Sequence, residues 1–398
     1  MTSYDAVIVG CGPAGATVAD NLAKKGYTIA VLEEHKKIGL PLSCAGLVSS
    51  RIFNYTTLLP ASIIQNSISG AIIHSPSGET FTIGGDTSHA LVINRPVFDE
   101  YLAASAEKNG ASLILENKVT NIEKKNGQLT ITTRYKKKRR TFTTKLLIGA
   151  DGPQSLVRTM FSFPQPKETL NAVGAEITNT SLDPTFVHIF IGQHIAPGFF
   201  AWIIPINKDG TKARIGLCTT RTTTQPLTYY FNQLLKQQEL KDIDIEHRIG
   251  GIIPLGPLTK TTTDNVMLVG DAAGHVKPTS GGGIYPALLC ATQCATVAAE
   301  ALETQDFTDA FLKKYHTTWT RDIGKELAIG MRFRNIYKKL NDQQLNNICQ
   351  KLSSQKSIEI INQFGDIDYP SKLALPLLKK IPTFLKYIPH ALITKKKE

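Results

Sequence analysis

The 398-residue chain lacks the marks of several protein classes. Its six cysteines, Cys11, Cys44, Cys218, Cys290, Cys294 and Cys349, form neither a C-x-x-C pair nor a zinc-ligand spacing. That excludes a zinc module and a disulfide scaffold, leaves no metal site expected, and points to a reduced, cytoplasmic setting. Long apolar runs are missing too. The longest uncharged stretch, Pro278 to Ala299, is broken by three glycines, Pro286 and Gln293, and reads as a buried helix rather than a membrane span. Neither repeats nor low-complexity tracts appear, and no signal peptide is expected ahead of the first strand. Acidic residues are in deficit, 33 against 45 lysines and arginines, for a net charge of +12. Such a surplus suits an anionic partner: nucleic acid, an anionic membrane surface or a phosphorylated substrate. The basic run Lys136-Lys137-Lys138-Arg139-Arg140 has only Tyr135 and Phe142 as aromatic neighbours, too few for base stacking. It reads as a solvated hairpin turn, and no nucleic-acid partner is expected.

What is present begins at the first residues. An apolar run, Ala6-Val7-Ile8-Val9, is followed by Gly10-Cys11-Gly12-Pro13-Ala14-Gly15, a helical pattern and a second apolar run ending at Glu33. This is the strand–turn–helix–strand–acid order of a dinucleotide site. Gly10 permits the tight turn, Gly12 the close approach of a pyrophosphate, and Gly15 the packing of helix on strand. The helix N-terminus offers free N–H groups and the positive dipole end, and Glu33 can accept both ribose hydroxyls. NAD and FAD are not distinguished by this stretch.

Further along, a glycine- and proline-marked loop, His35 to Leu47, holds Cys44 where ligands bind at the ends of parallel strands. Residues 63 to 93 alternate between apolar and polar and read as antiparallel strands. Arg95, at a strand-to-helix junction before a helix from Val97 to Lys108, can bind phosphate bidentately. Strands from Ser112 to Leu115 and Lys118 to Lys124 follow. Two later strands run into Ala150-Asp151-Gly152, with Ser155 and Arg158 opening a helix, and into Gly270-Asp271-Ala272-Ala273-Gly274, with Pro278 and Gly281-Gly282-Gly283-Ile284 beyond. Asp271 can hold the sugar-alcohol hydroxyls of a flavin, and the helix opening at Gly283 can face the charge of a reduced ring.

These three motifs in order resemble the para-hydroxybenzoate hydroxylase-type FAD-dependent flavoproteins. Cys44 and Gly281-Gly282-Gly283-Ile284 bring the resemblance closer to the geranylgeranyl reductase family, including digeranylgeranylglycerophospholipid reductases. That resemblance implies an α/β fold: a Rossmann-type FAD-binding domain (1–62, 94–160 and 265–300), an interleaved antiparallel-sheet substrate domain (63–93 and 161–264) and a C-terminal basic helical region (301–398). It implies FAD contacts at Ala14, Gly15, Glu33, Cys44, Ala45, Arg95, Val119, Asp271, Gly283 and Ile284, beside Gly10 and Gly12. The family's pocket motif P-x-x-Y-x-W-x-F-P corresponds to Pro197 through Pro205. Trp202 and both prolines are kept, with Phe200 in place of tyrosine and Ile204 in place of phenylalanine, so Phe200, Trp202 and Pro205 are the expected substrate wall.

The implied reaction is saturation of C=C bonds in geranylgeranyl chains of lipids or prenyl diphosphates, with hydride from flavin and a proton from a donor for which Cys44 is the candidate. A second G-x-G-x-x-G is absent, so NADPH, a ferredoxin or a deazaflavin remain equal as electron donor. An aromatic or quinone monooxygenase or a halogenase is the alternative. Phe200-Ala201-Trp202-Ile203-Ile204-Pro205 approaches the halogenase W-x-W-x-I-P, but no lysine lies between Lys37 and Lys108 to serve that chemistry. From 371 onward, lysines (Lys372, Lys379, Lys380, Lys386, Lys395 to Lys397) interleave with Leu375, Leu377, Leu378, Ile381, Phe384 and Leu385. Short helices broken at Pro376, Pro382 and Pro389 are expected, lying peripherally on a membrane surface.

Overall fold

A computed structural model describes residues 2–56 and 59–380. Its nucleotide-side sheet runs Thr262–Thr263, Val266–Leu268, Leu146–Gly149, Ala6–Val9, Ile29–Leu32, Ser112–Ile114. All pairings but the first are parallel. Parallel strands are covered on both faces, which is why they read as unbroken apolar runs rather than alternating ones. Alternation nonetheless sorts the side chains. Ala6, Ile8, Ile29, Val31, Leu146, Ile148 and Met267 enter the core beneath helices Pro13–Ala23, Arg95–Lys108 and Ile284–Thr304. Val7, Val9, Ala30, Leu32, Leu147 and Leu268 enter a second core beneath the hairpin strands Lys118–Lys125, Gln128–Tyr135 and Lys138–Thr144. Each fully buried side chain of this size contributes about 1.5–3 kcal/mol. The uncharged stretch forms a helix over Ile284–Thr304, buried in the first core. No described helix is long and apolar enough to cross a membrane.

A seven-stranded sheet stands beside it in the order Asp244–Leu255, Glu168–Thr178, Lys212–Thr220, Phe200–Pro205, Phe186–Ile191, Gly70–His74, Thr80–Gly84. The stretch from 63 to 93 differs from a plain antiparallel unit. Its strands divide between this sheet and a three-stranded one, and Gly70–His74 pairs in parallel with Phe186–Ile191. Local alternation reveals a strand but not its partner, because the partner lies more than a hundred residues away. The basic run forms the expected turn, with Lys136 at φ +53°.

Helices Asp309–Trp319, Lys325–Tyr337, Asp342–Leu352, Gln355–Phe364 and Ser371–Lys380 follow. The break expected at Pro376 does not occur, since that proline sits inside the last helix. A proline removes one amide bond and strains the preceding turn, and here the helix continues through it. The breaks expected at Pro382 and Pro389, and Lys386 with Lys395 to Lys397, lie outside the described residues.

Candidate active site

The glycine turn has the geometry that its sequence demands. Gly10 adopts φ +95°, and a Cβ there would stand 2.4 Å from the Ala150 carbonyl oxygen; at Gly15 it would stand 2.0 Å from that of Gly10. The strand Leu146–Gly149 and its Asp-Gly turn therefore press against the first turn, and any side chain would force them apart. Gly12 is different: nothing lies within 4 Å of its Cβ position. It caps helix Pro13–Ala23 without a side-chain bond, leaving N–H groups free beside open space, the arrangement that takes a pyrophosphate. Glu33 is aligned at the next strand end. Its carboxylate accepts from the Cys11 amide at 2.9 Å, the His35 amide at 2.9 Å and His35 Nδ1 at 2.6 Å.

Asp271 follows strand Val266–Leu268, in the turn Gly270–Ala273. Burial pushes its carboxyl up to about 6, against the pull of Arg95 and Arg158. Among the described residues the carboxylate accepts no hydrogen bond. A Cβ on Gly283 would stand 3.1 Å from Asp271 Oδ1, so this glycine keeps the acid's surroundings open. Gly283 caps the helix Ile284–Thr304 with no side-chain bond. Below the turn, the Gly270 amide donates to Nδ1 of His275, 3.2 Å away, and burial holds that imidazole down to about 3, hence neutral. Arg158 donates to the Ala272 carbonyl at 3.1 Å and the Pro153 carbonyl at 2.6 Å, joining the two aspartate motifs.

Five of the six cysteines are buried and Cys44 is half-buried. Its Sγ accepts from the Gly46 amide at 3.3 Å and from the Arg95 guanidinium. Arg95 is gripped by Asp99 at 3.1 and 2.9 Å, and Asp99 and Cys44 outweigh its burial to keep it charged. The loop is tied to the larger sheet by Arg214, buried to 2%. Arg214 donates to the carbonyls of Ala45 at 3.2 Å and Ile93 at 2.9 Å, to Gln65 at 2.8 Å and to Glu176 at 2.7 Å. Ala45 then packs in one apolar cluster with Trp202.

On the sheet, Phe200 and Trp202 share a face with Ala172 and Ile253 and pack with Phe199, Val276 and Met331. Phe199 and Phe200 stack at 4.4 Å, and Trp202 meets Phe200 edge-on at 6.0 Å. Gly174 and Gly216 face each other across paired strands, Gly251 lies opposite Ala172, and Trp202 lies opposite Gly216. Gly216 lets the Trp202 ring lie across the neighbouring strand, since a Cβ there would stand 2.5 Å from its Cζ2, and Ser43 of the loop covers Gly251. The buried Trp202 Nε1 has no acceptor among the described residues.

Not every expected residue joins this group. Pro205 is an odd number of residues from Phe200 and Trp202 along the strand, so it points to the opposite face with Ala201 and Ile203. It pairs with Ala213, and its carbonyl accepts from Asn66 at 3.1 Å. Val119 lies at a bulge of the hairpin sheet with its side chain buried against the second core, so only its backbone is available to a ligand.

Arg214, Lys277, Arg334 and Tyr337 belong to none of the sequence motifs, yet they brace the site. Lys277 donates to Asp368 at 2.7 Å and to the Ile367 carbonyl at 2.9 Å. Arg334 holds Glu168 at 2.9 and 3.1 Å and donates to the Gly198 carbonyl, and Tyr337 donates to the Phe199 carbonyl at 2.5 Å. Lys277 did carry a signal, a single lysine ahead of a long uncharged segment.

Residues 3–322 match the FAD binding domain family. Two curated relatives are digeranylgeranylglycerophospholipid reductases. That of Methanococcus vannielii is 31% identical over 393 residues, 97% of each chain. That of Methanocaldococcus jannaschii is 30% identical over 392 residues, 96% of this chain and 97% of the relative. Among solved structures, a geranylgeranyl bacteriochlorophyll reductase-like protein of Thermoplasma acidophilum superposes with a TM-score of 0.87, at 24% identity, covering 98% of this chain and 100% of that one. The flavin-dependent halogenase CmlS follows at 0.71, with 18% identity, covering 97% of this chain and 78% of its own. At such identities the two structures speak for the fold alone.

Proposed function

The chain belongs to the digeranylgeranylglycerophospholipid reductases within the FAD binding domain family, and from that membership we propose that it saturates the C=C bonds of geranylgeranyl chains on membrane lipids or their precursors. The observation that carries the substrate side is the aromatic wall of Phe199, Phe200 and Trp202, packed with Ala172, Val276 and Met331 and adjoining Ala45. A branched hydrocarbon chain offers no polar handle, and an aromatic wall of this kind binds it by apolar area alone.

The residues present fit FAD. Gly10, Gly12, Ala14 and Gly15 would hold its pyrophosphate, Glu33 a ribose, and the Val119 backbone would flank the adenine side. The Asp271 carboxylate, without a hydrogen-bond partner among the described residues, suits sugar-alcohol hydroxyls, and Ala45, Gly283 and Ile284 would meet the ring through backbone groups. When bound and reduced, FAD supplies the hydride. The chain itself supplies the dry wall that excludes water, and Arg95, which keeps the Cys44 thiol in place. Cys44 gives the proton that the second alkene carbon needs, or positions the alkene for it. Electrons reach the flavin from NADPH, a ferredoxin or a deazaflavin.

Cys44→Ser tests the thiol's part. With FAD still stoichiometric, the alkene-dependent reoxidation of reduced enzyme falls about a hundredfold; a native rate would remove Cys44 from the chemistry.

A further inference from the structure

The face of the seven-stranded sheet turned away from the substrate wall carries a second polar group. In the parallel pair of Gly70–His74 with Phe186–Ile191, Phe190 lies opposite His74 and His188 opposite Ile72. Both imidazoles therefore emerge on one face. It is the face of Ile203, which pairs with His188 and lies in the core under helix Leu227–Leu234. Nε2 of His74 is 3.0 Å from Nδ1 of His188, and Phe190 stacks on His74 at 4.0 Å. From the turn Gln238–Leu240 after that helix, Glu239 brings Oε1 to 3.8 Å from His74 Nδ1. One nitrogen of each ring and one Glu239 oxygen lie within 4.8 Å of one another.

Glu239 stands 3.8 Å from Nδ1 of His74, while His188 meets the other nitrogen, Nε2, at 3.0 Å; an ion takes one nitrogen of His74, and the remaining donor closes in from within 4.8 Å by a side-chain rotation. Donors each about 2.1 Å from a zinc ion stand about 3.4 Å apart in a tetrahedron. His188 is 7% exposed, while the Glu239 side chain keeps 25% of its surface in solvent, so the group is reached from solvent on the Glu239 side.

We propose that His74, His188 and Glu239 form a binding site for a borderline divalent cation, best suited to zinc. Two imidazoles and one carboxylate are the donor set that zinc takes, whereas magnesium and calcium need oxygen shells. Lying across the sheet from the aromatic wall, the ion clamps the segment after helix Leu227–Leu234 to the strands Gly70–His74 and Phe186–Ile191. The site is independent of the reductase reading.

The test uses the full FAD-loaded chain, free of any affinity tag and stripped by a chelator. It is titrated with zinc by calorimetry and with cobalt by ligand-field absorption beyond the flavin bands. One zinc per chain is expected, with cobalt bands of tetrahedral or five-coordinate intensity and a melting temperature raised by zinc. Glu239→Gln, at a partly exposed position that the fold tolerates, and His188→Asn each weaken binding about tenfold or more. No saturable binding by the parent chain, or affinity unchanged from the parent in both variants, would overturn the site and leave a histidine–histidine hydrogen bond in its place. Glu246→Gln serves as the control for the more exposed grouping of Glu176, Glu246 and His247; loss of binding in that variant alone would equally overturn it.

Discussion

At the scale of single residues, Asp271 is held under tension. A carboxyl at 3.8 in the unfolded chain rises to about 6 in the fold, because burial disfavours its charge. Between those values the folded chain keeps a proton that the unfolded chain releases, so the contribution of this group to stability falls as pH rises and is fully lost above pH 6. The loss is at most about 3 kcal/mol, less what solvent at the half-buried carboxylate screens. Asp271→Asn is therefore expected to raise the melting temperature of the FAD-free chain at pH 7.5, to lose that advantage near pH 4, and to weaken FAD binding. An unchanged melting temperature at pH 7.5 together with full FAD affinity would contradict this role. The motif made Asp271 legible in the sequence. Its lack of a partner was not, because that depends on Arg95 and Arg158, which arrive from elements more than a hundred residues away. Pro205 shows the converse: a motif match placed it in the pocket, and the alternation of a strand turns it out.

At the scale of elements, the segment between helices Gln355–Phe364 and Ser371–Lys380 reaches back to the loop before Gly283. Asp368 is fully buried and accepts from Lys277 at 2.7 Å and from Arg51 at 2.9 Å. Asp366 takes Arg51 at 2.8 Å and Lys372 at 3.0 Å, and these bonds overcome burial to draw its carboxyl down to about 2. The Lys277 stem lies 2.8 Å from the Cβ position of Gly282, so the latch presses on the turn that opens helix Ile284–Thr304. Removing one partner of a buried pair strands the other, which costs about 3–5 kcal/mol. Asp368→Asn should destabilise by that amount in denaturant unfolding and release FAD more readily. Lys277→Met combined with Asp368→Asn should recover most of the loss; a double variant as weak as the single would show that the pair is not the cause. The strands, helices and glycine turns of this region were legible from local periodicity. The latch was not, since isolated aspartates in a helical, basic tail look solvated until a distant loop is seen to cover them.

For the whole molecule, the α/β architecture was legible because three glycine-and-acid motifs sit at strand ends in a fixed order. The division of residues 63–93 between two sheets was hidden in long-range pairing. The charge of +12 and the exposed Leu375, flanked by exposed Lys372 and Lys379 on the last described helix, support docking on an anionic membrane. Sedimentation with vesicles should show binding to anionic but not zwitterionic lipid, weakening as salt rises, with each lysine near the surface contributing about 1 kcal/mol. Equal binding to both vesicle types would remove the electrostatic part of that account.

The central claim is tested most directly without oxygen. The flavin of the purified protein is reduced with dithionite, a digeranylgeranylglycerophospholipid is added, and flavin reoxidation is followed together with the mass of the lipid. The structure and the family predict reoxidation coupled to a gain of two hydrogens per double bond. A flavin that stays reduced until oxygen is admitted, and only then turns over an aromatic or quinone substrate, would contradict the reductase.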